Sequence, residues 1–244
     1  MKCLLLALTG MGNDVLNACL DHPDVESVLV VTRVESGAFP YYSCENLAET
    51  CSREGVECLE GASLKDPDVL FAIEGFSPDI VISATFHQIV PQSILALPPK
   101  GAFNVHPSLL PAYKGPMPTN WAIIHGELQT GVTIHEMTLG VDEGRVALQR
   151  KVDIGGSDDG GLRRIMYSVA GELTKEFLDR VMSGSISFEP QRGVASRHPR
   201  VLSPKGLELL RTGGFDPANI RRGVTPWPGV RALDDALASA HLNM

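Results

Sequence analysis

Short, uninterrupted apolar runs separated by stretches of helical period constrain the fold of this 244-residue chain more than any other feature. The runs are "CLLLAL" (3–8), "VESVLVVT" (25–32), "VECLE" (56–60), "DIVISAT" (79–85) and "GAFNVH" (101–106). Most are continuous rather than alternating, as expected of strands covered on both faces. Between them, "NDVLNACLDH", "SCENLAETCSREG", "DPDVLFAIEGF" and "PQSILAL" carry helical patterns, the last two opened by proline. Strand–helix alternation of this kind predicts an α/β fold: a Rossmann-like, doubly wound, mostly parallel sheet with helices on both faces. Further on, "TGVTIHEMT" and "GRVALQRKVDI" alternate, and "LGVDEG" joins them, which predicts a hairpin or two adjacent strands. A long amphipathic helix over "GGLRRIMYSVAGELTKEFLDRVMSG" closes at Gly184. We expect a main domain over 1–190 and a C-terminal extension over 191–244 with no separate barrel. In the extension "QRGVASRHPRVLSPKG" has no period, while "PANIRRGV" and "ALDDALASAHL" read as helices.

The formal net charge of −8 disfavours a surface built for polyanions, so nucleic-acid binding is not expected. The five cysteines are odd in number and lack paired metal spacings, which fits a reduced, cytoplasmic setting. "LNAC" (16–19) has the look of a lipoprotein cleavage box, but the preceding apolar run stops at Leu8 and is interrupted by Gly10, Gly12, Asn13 and Asp14. A buried first strand is the better reading. No run approaches the roughly 20 apolar residues of a membrane span. The turn "LTGMGND" has G-x-G without the third glycine of a dinucleotide fingerprint; it reads as a tight turn into a helix, with a phosphate cradle as the alternative.

Open parallel sheets bind ligands beyond the carboxyl ends of their strands. Asn104 and His106 lie at such an end, two positions apart, so both side chains leave on one face before Pro107 stops the strand. Asp142 sits in "LGVDEG" between Gly140 and Gly144, in a loop able to turn tightly. An amide, an imidazole and a carboxylate could converge there, although Asn-x-His alone is a weak signal. No cluster of Cys, His and carboxylate suggests a metal.

The stretch "FNVHPSLLPAYKGPMPTNWAIIHGELQTGVTIHEMTLGVDEGRVALQRKVDI" resembles the formyltransferase family that uses 10-formyltetrahydrofolate. "SPDIVISATFHQIVPQSIL" and "IRRGVTPWPG" fit more loosely. The resemblance implies catalytic roles for Asn104, His106 and Asp142 in moving a formyl group onto an amine. Asn104 and a protonated His106 would donate to the oxygen on which charge develops; Asp142 would favour the charged imidazole and collect the amine's proton. The same likeness implies a folate site formed by Phe86, Ile89, Val90, Gly140 and Val141. It makes His87 a weaker candidate. His125 and His135, in helix and strand patterns, are expected to be structural.

Three acceptors compete. Methionyl-tRNA enzymes resemble this chain least in charge and in the stretch "VESGAFPYYSCENLAETCS", which has no Lys or Arg where a basic insertion would lie. Glycinamide ribonucleotide enzymes resemble it at "GMGND", minus a hydroxyl residue. Amino sugar nucleotide enzymes resemble it at "MPTNWAIIHGE", which favours a small amine acceptor. "RHPR" and "NIRRG" in the extension offer cations to an anionic acceptor. Hydrolysis of the formyl-folate and non-catalytic folate binding are the readings from other classes. The oligomeric state is open, a homodimer among the options.

Overall fold

The computed structural model describes residues 1–34 and 45–242, with side chains through 238. The expected alternation is present: β1 (Lys2–Ala7), α1 (Met11–Leu20), β2 (Ser27–Thr32), α2 (Leu47–Glu54), β3 (Glu57–Glu60), α3 (Pro67–Phe76), β4 (Ile80–Ala84), α4 (Gln92–Leu95) and β5 (Ala102–His106). Then follow α5 (Pro118–Ile124), β6 (Gln129–Glu136), β7 (Val146–Asp153) and α6 (Asp159–Met182). The extension adds α7 (Pro204–Thr212), α8 (Pro217–Gly223) and α9 (Val230–Leu242). The stretch without Lys or Arg, where a basic insertion would lie, falls largely in 35–44, outside the described residues.

The sheet order is β3-β2-β1-β4-β5-β6-β7. The first five strands are parallel, and β6 and β7 continue the sheet antiparallel. The chain reverses its direction of winding between β1 and β4, and a crevice at such a switch point is where open sheets hold ligands. Alternation along β1 divides the core. Cys3, Leu5 and Ala7 share a cluster with Leu16 and Phe177, and Leu4 and Leu6 share another with Ile73 and Ile94. On β5, Phe103 and Val105 go with the first cluster and Ala102 with the second. Asn104 and His106 therefore continue the Ala102 row past the end of the sheet's apolar cover.

Helix ends follow their capping residues. Asp66 accepts from the Asp68 amide and Asp158 from the Gly161 amide. At α1, Gly10 takes φ 98°, its amide donates to Asn13 Oδ1 at 2.8 Å, and the Gly12 amide donates to Leu8 O at 3.0 Å. Those inward bonds make "TGMG" a tight turn, and they leave few of its amides for a phosphate.

The extension differs from expectation in one element. Residues 204–212, read as part of an extended stretch, form α7, with Ser203 as N-cap and Pro204 at the first position. Nine residues carry too few turns for a period to show, since only Leu207 and Leu210 with Gly206 are buried. Val201, Leu207, Leu210 and Val224 join the first core cluster, so the extension is packed onto the sheet's helical cover.

Candidate active site

A cleft of about 490 Å³ opens at the switch point, within the size range of small-molecule sites. Asn104, His106 and Asp142 all line it, and so do Phe86, Ile89, Val90, Gly140 and Val141. Ile89 is 83% exposed and Val141 44% exposed, an unusual disposition for apolar residues unless something covers them. Val90 differs: it is buried in the core cluster beneath the loop and supports the wall.

Asp142 holds the cluster together. Its turn takes φ 57°, and a Cβ at Gly144 would lie against Glu136 O, so only glycine closes the loop there. Four of the five described non-glycine residues at positive φ (Thr85, Tyr113, Met117 and Asp142) belong to the loops around the cleft. Backbone of that kind persists only where its surroundings impose it. Asp142 Oδ2 accepts from the Gly115 amide at 2.7 Å. Asn104 Nδ2 approaches Asp142 Oδ1 at 3.4 Å and His135 Nε2 at 3.2 Å. His106 Nδ1 lies 3.7 Å from Asp142 Oδ2.

His106 departs from the expected charged form. Its Nε2 is 3.0 Å from Tyr113 O; a carbonyl can only accept, so Nε2 carries the hydrogen and Nδ1 faces Asp142. Burial pushes its pKa below the ordinary histidine value, and the raising effect of Asp142 does not overcome this. The imidazole is therefore neutral at rest. Burial works on Asp142 in the opposite sense, towards protonation, but its attraction to a proton on His106, together with the Gly115 amide, outweighs this and holds the carboxyl well below the usual range, so a proton reaching the pair settles on Nδ1 rather than on the carboxylate.

His135 was expected to be structural, and the structure places it in the cluster instead. It sits on β6 directly across from Asn104 on β5, so the two side chains share a face. Its Nδ1 lies 2.7 Å from Glu136 O, which fixes the hydrogen there and turns Nε2 to accept from Asn104. The signal existed in the alternation of "TGVTIHEMT", but the pairing register that aims it was not readable. His125 does stay outside: its ring packs at a tilt against Trp121 and His198 and edge-on against Phe215.

Two residues of the extension reach the Asp142 turn, and sequence reasoning missed both as supports. Gln191 Nε2 donates to Asp142 O and Gly144 O, each at 2.8 Å, and Arg197 Nη2 donates to Val141 O at 2.8 Å. Ser196 fastens the same segment: its amide donates to Pro111 O, its carbonyl accepts from Lys114 N, and its Oγ accepts from Tyr113 N at 2.8 Å. Of the two basic motifs, "RHPR" lines the cleft with Arg197 and Arg200. "NIRRG" does not, since Arg222 donates to Gly155 O and Ser157 O.

The family sequence profile described as "Formyl transferase" matches residues 5–171. The chain belongs to the formyltransferase family. A methionyl-tRNA formyltransferase of Citrifermentans bemidjiense is 37% identical over 188 residues, covering 76% of this chain and 59% of its own length. One from Geobacter metallireducens, 35% identical, is covered over 57% of its length, so this chain spans a little over half of these curated relatives. Among solved structures, glycinamide ribonucleotide transformylase 1 of Symbiobacterium toebii superposes with a TM-score of 0.61 at 26% identity, over 75% of this chain and 87% of that one. An N-formyltransferase of Helicobacter canadensis in complex with folinic acid and dTDP-3-aminofucose gives 0.62 at 20% identity, over 82% and 70%, a likeness of fold. No described helix is long and apolar enough to cross a membrane.

Proposed function

We propose that this formyltransferase-family chain moves a formyl group from 10-formyltetrahydrofolate to a neutral primary amine. The observation that carries the reading is the convergence of Asn104, His106 Nδ1 and Asp142 on one cleft beside exposed apolar residues. Ile89 and Val141 offer the faces a pterin would cover. Asn104 is the resting donor. Its bonds to Asp142 and His135, at 3.4 and 3.2 Å, are long enough to be exchanged for one to a developing oxyanion. Asp142, ionised and acceptor-only, takes the amine's proton directly or through a water. That proton is then shared between Asp142 and His106 Nδ1, which makes the ring an imidazolium, and it passes on to N10 of the folate as the C–N10 bond breaks and tetrahydrofolate leaves. His106 thus acquires its charge as the reaction proceeds rather than before it.

The relatives' names support the α-amino group of methionyl-tRNA as acceptor ahead of the amino sugar nucleotide favoured by the "MPTNW" segment. The small-amine reading keeps one specific observation, the net charge of −8, because phosphate contacts by Lys and Arg supply most tRNA affinity. The test is mass-spectrometric: purified protein and 10-formyltetrahydrofolate are incubated with methionyl-tRNA, with a set of amino sugar nucleotides, or with no acceptor. A formylated product in either of the first two supports transfer and names its class. Formate release that no acceptor accelerates replaces transfer with hydrolysis.

A further inference from the structure

Four arginines line the cleft beside the Asn104–His106–Asp142 cluster: Arg33 just after β2, Arg163 on α6, and Arg197 and Arg200 in the extension. Arg163 is neutralised, its Nε 2.7 Å from Asp159 Oδ2. Arg197 spends one donor on the neutral Val141 carbonyl, and neither it nor Arg200 has a carboxylate partner within 4 Å among the described residues. Two uncompensated guanidiniums, three positions apart in one cleft, are out of keeping with a chain that carries eight more acids than bases.

We propose that Arg197 and Arg200 seat a phosphate group carried by the acceptor amine; the inference rests on the formyl-transfer reading. The placement is what points to the acceptor rather than the folate. Arg197 packs over Gly115, whose amide donates to Asp142 Oδ2, and it also reaches the Val141 carbonyl beside Asp142. Arg200 is held near Met117 by the Val201 amide, which reaches Met117 Sδ at 3.4 Å. Both therefore stand by the carboxylate assigned to the amine's proton. Arg197 retains donors after its single bond to Val141, and planar guanidiniums match phosphate oxygens in pairs. A pair of positive charges suits a dianion or a diphosphate; the glutamate end of a folate is a dianion too, and the folate arm of the titration separates the two.

The position has a chemical consequence. Arg197 is close enough to His106 that its field helps depress the imidazole's basicity. The same field acts on an amine beside His106 and favours the unprotonated form, the one that can attack. Anchoring the phosphate and preparing the nucleophile would then be two results of one side chain.

The test uses the full chain. Inorganic pyrophosphate, a nucleoside diphosphate and unfractionated tRNA are titrated separately by calorimetry, with 5-formyltetrahydrofolate as the folate probe. Wild type is expected to bind pyrophosphate, and the tighter of the other two identifies the source of the phosphate. Arg200→Gln, at an exposed side chain with no partner to lose among the described residues, should weaken phosphate ligands about tenfold, on the scale of one charge-assisted contact. Raising salt to about 0.3 M should narrow that difference. Folate affinity should stay within about twofold. Wild type that binds none of the phosphate ligands below about 10 mM, or Arg200→Gln and Arg197→Gln that both bind as wild type does, would overturn the site and leave formyl transfer standing. Loss of folate binding by wild type itself would remove the formyl-transfer reading, and this inference with it.

Discussion

Gln191 offers a direct measurement of how far the extension governs catalysis. Its amide group makes two 2.8 Å hydrogen bonds, to Asp142 O and Gly144 O, across the turn that holds Asp142 at φ 57°. Its Oε1 is buried without a partner, so the side chain contributes donors only. Gln191→Ala removes both bonds. At about 1 kcal/mol for each, the fold should lose about 2 kcal/mol, which lowers Tm by several degrees. The turn would also lose the tie that joins its Asp142 and Gly144 carbonyls. A shift of about 1 Å in a catalytic group costs on the order of 100-fold in rate, so kcat for tetrahydrofolate release should fall by 10- to 100-fold with little change in folate affinity. Two further substitutions separate positioning from general weakening. Gln191→Glu replaces donors with a carboxylate facing two carbonyls and should be worse than alanine. Gln191→Lys supplies donors and needs no acceptor, so it should recover part of the lost rate. The assay is folate release with the acceptor chosen by the product screen, in parallel with thermal melts and with the pH profile of kcat. If Gln191→Ala lowers Tm yet keeps kcat within twofold, the turn is held by its own backbone and the Gly115 amide, and the positioning argument fails.

Asp142→Asn should lower kcat by at least the two to three orders of magnitude typical of one lost transition-state donor, since it removes the proton acceptor and the partner of His106 together; a folded mutant retaining a tenth of wild-type kcat would contradict the assigned role. His106→Ala should cost a similar factor, and the double mutant should be little worse than either single one, because the pair acts as a unit. His135→Ala should loosen Asn104 and lower kcat by about tenfold with near-normal folate binding, whereas unchanged turnover would return His135 to a structural role. Stability should decline on acidification. His106 and His198, the latter brought down to about 4 by burial and by His125, are neutral in the fold. The unfolded chain takes up protons at both from about pH 6.5 downward, so their contribution is present above that pH and lost as pH falls towards the folded values. Melting His198→Phe at pH 7 and pH 5 should show a smaller loss than wild type, and an equal loss would refute the linkage.

Much of the frame was legible because parallel strands buried on both faces leave continuous apolar runs. β1, β2, β4 and β5 fall within a residue or two of the runs that announced them. The paired alternation of β6 and β7 was equally plain. Periodicity carries no information about which strand lies beside which, and that was decisive for His135. Only the β5–β6 register sets it opposite Asn104. Nor does pattern reveal a contact such as Gln191 with the Asp142 turn, 49 positions apart and made to backbone rather than to a recognisable side-chain partner. The sense of the His106 shift was also out of reach, because it depends on how deeply the ring is covered and not on the carboxylate that follows it in the chain.

That shift alters what the Asn-Val-His strand end accomplishes. A permanently charged imidazolium beside Asp142 would form a settled ion pair, leaving the carboxylate a poor acceptor for the amine's proton. Neutral His106 instead turns a lone pair at Nδ1 towards an ionised carboxylate 3.7 Å away, a geometry with no hydrogen bond between them and a shared attraction for one proton. Burial of both groups makes that attraction strong, since an uncompensated carboxylate in a poorly solvated cleft has the most to gain from it. In the proposed reaction the amine supplies the proton only as it attacks, so the favourable interaction is absent in the ground state and present in the transition state. Stabilisation confined to the transition state is the kind that raises kcat. The Tyr113 carbonyl is what secures this arrangement: by holding the hydrogen on Nε2 at 3.0 Å it keeps Nδ1 open towards Asp142 until the reaction fills it.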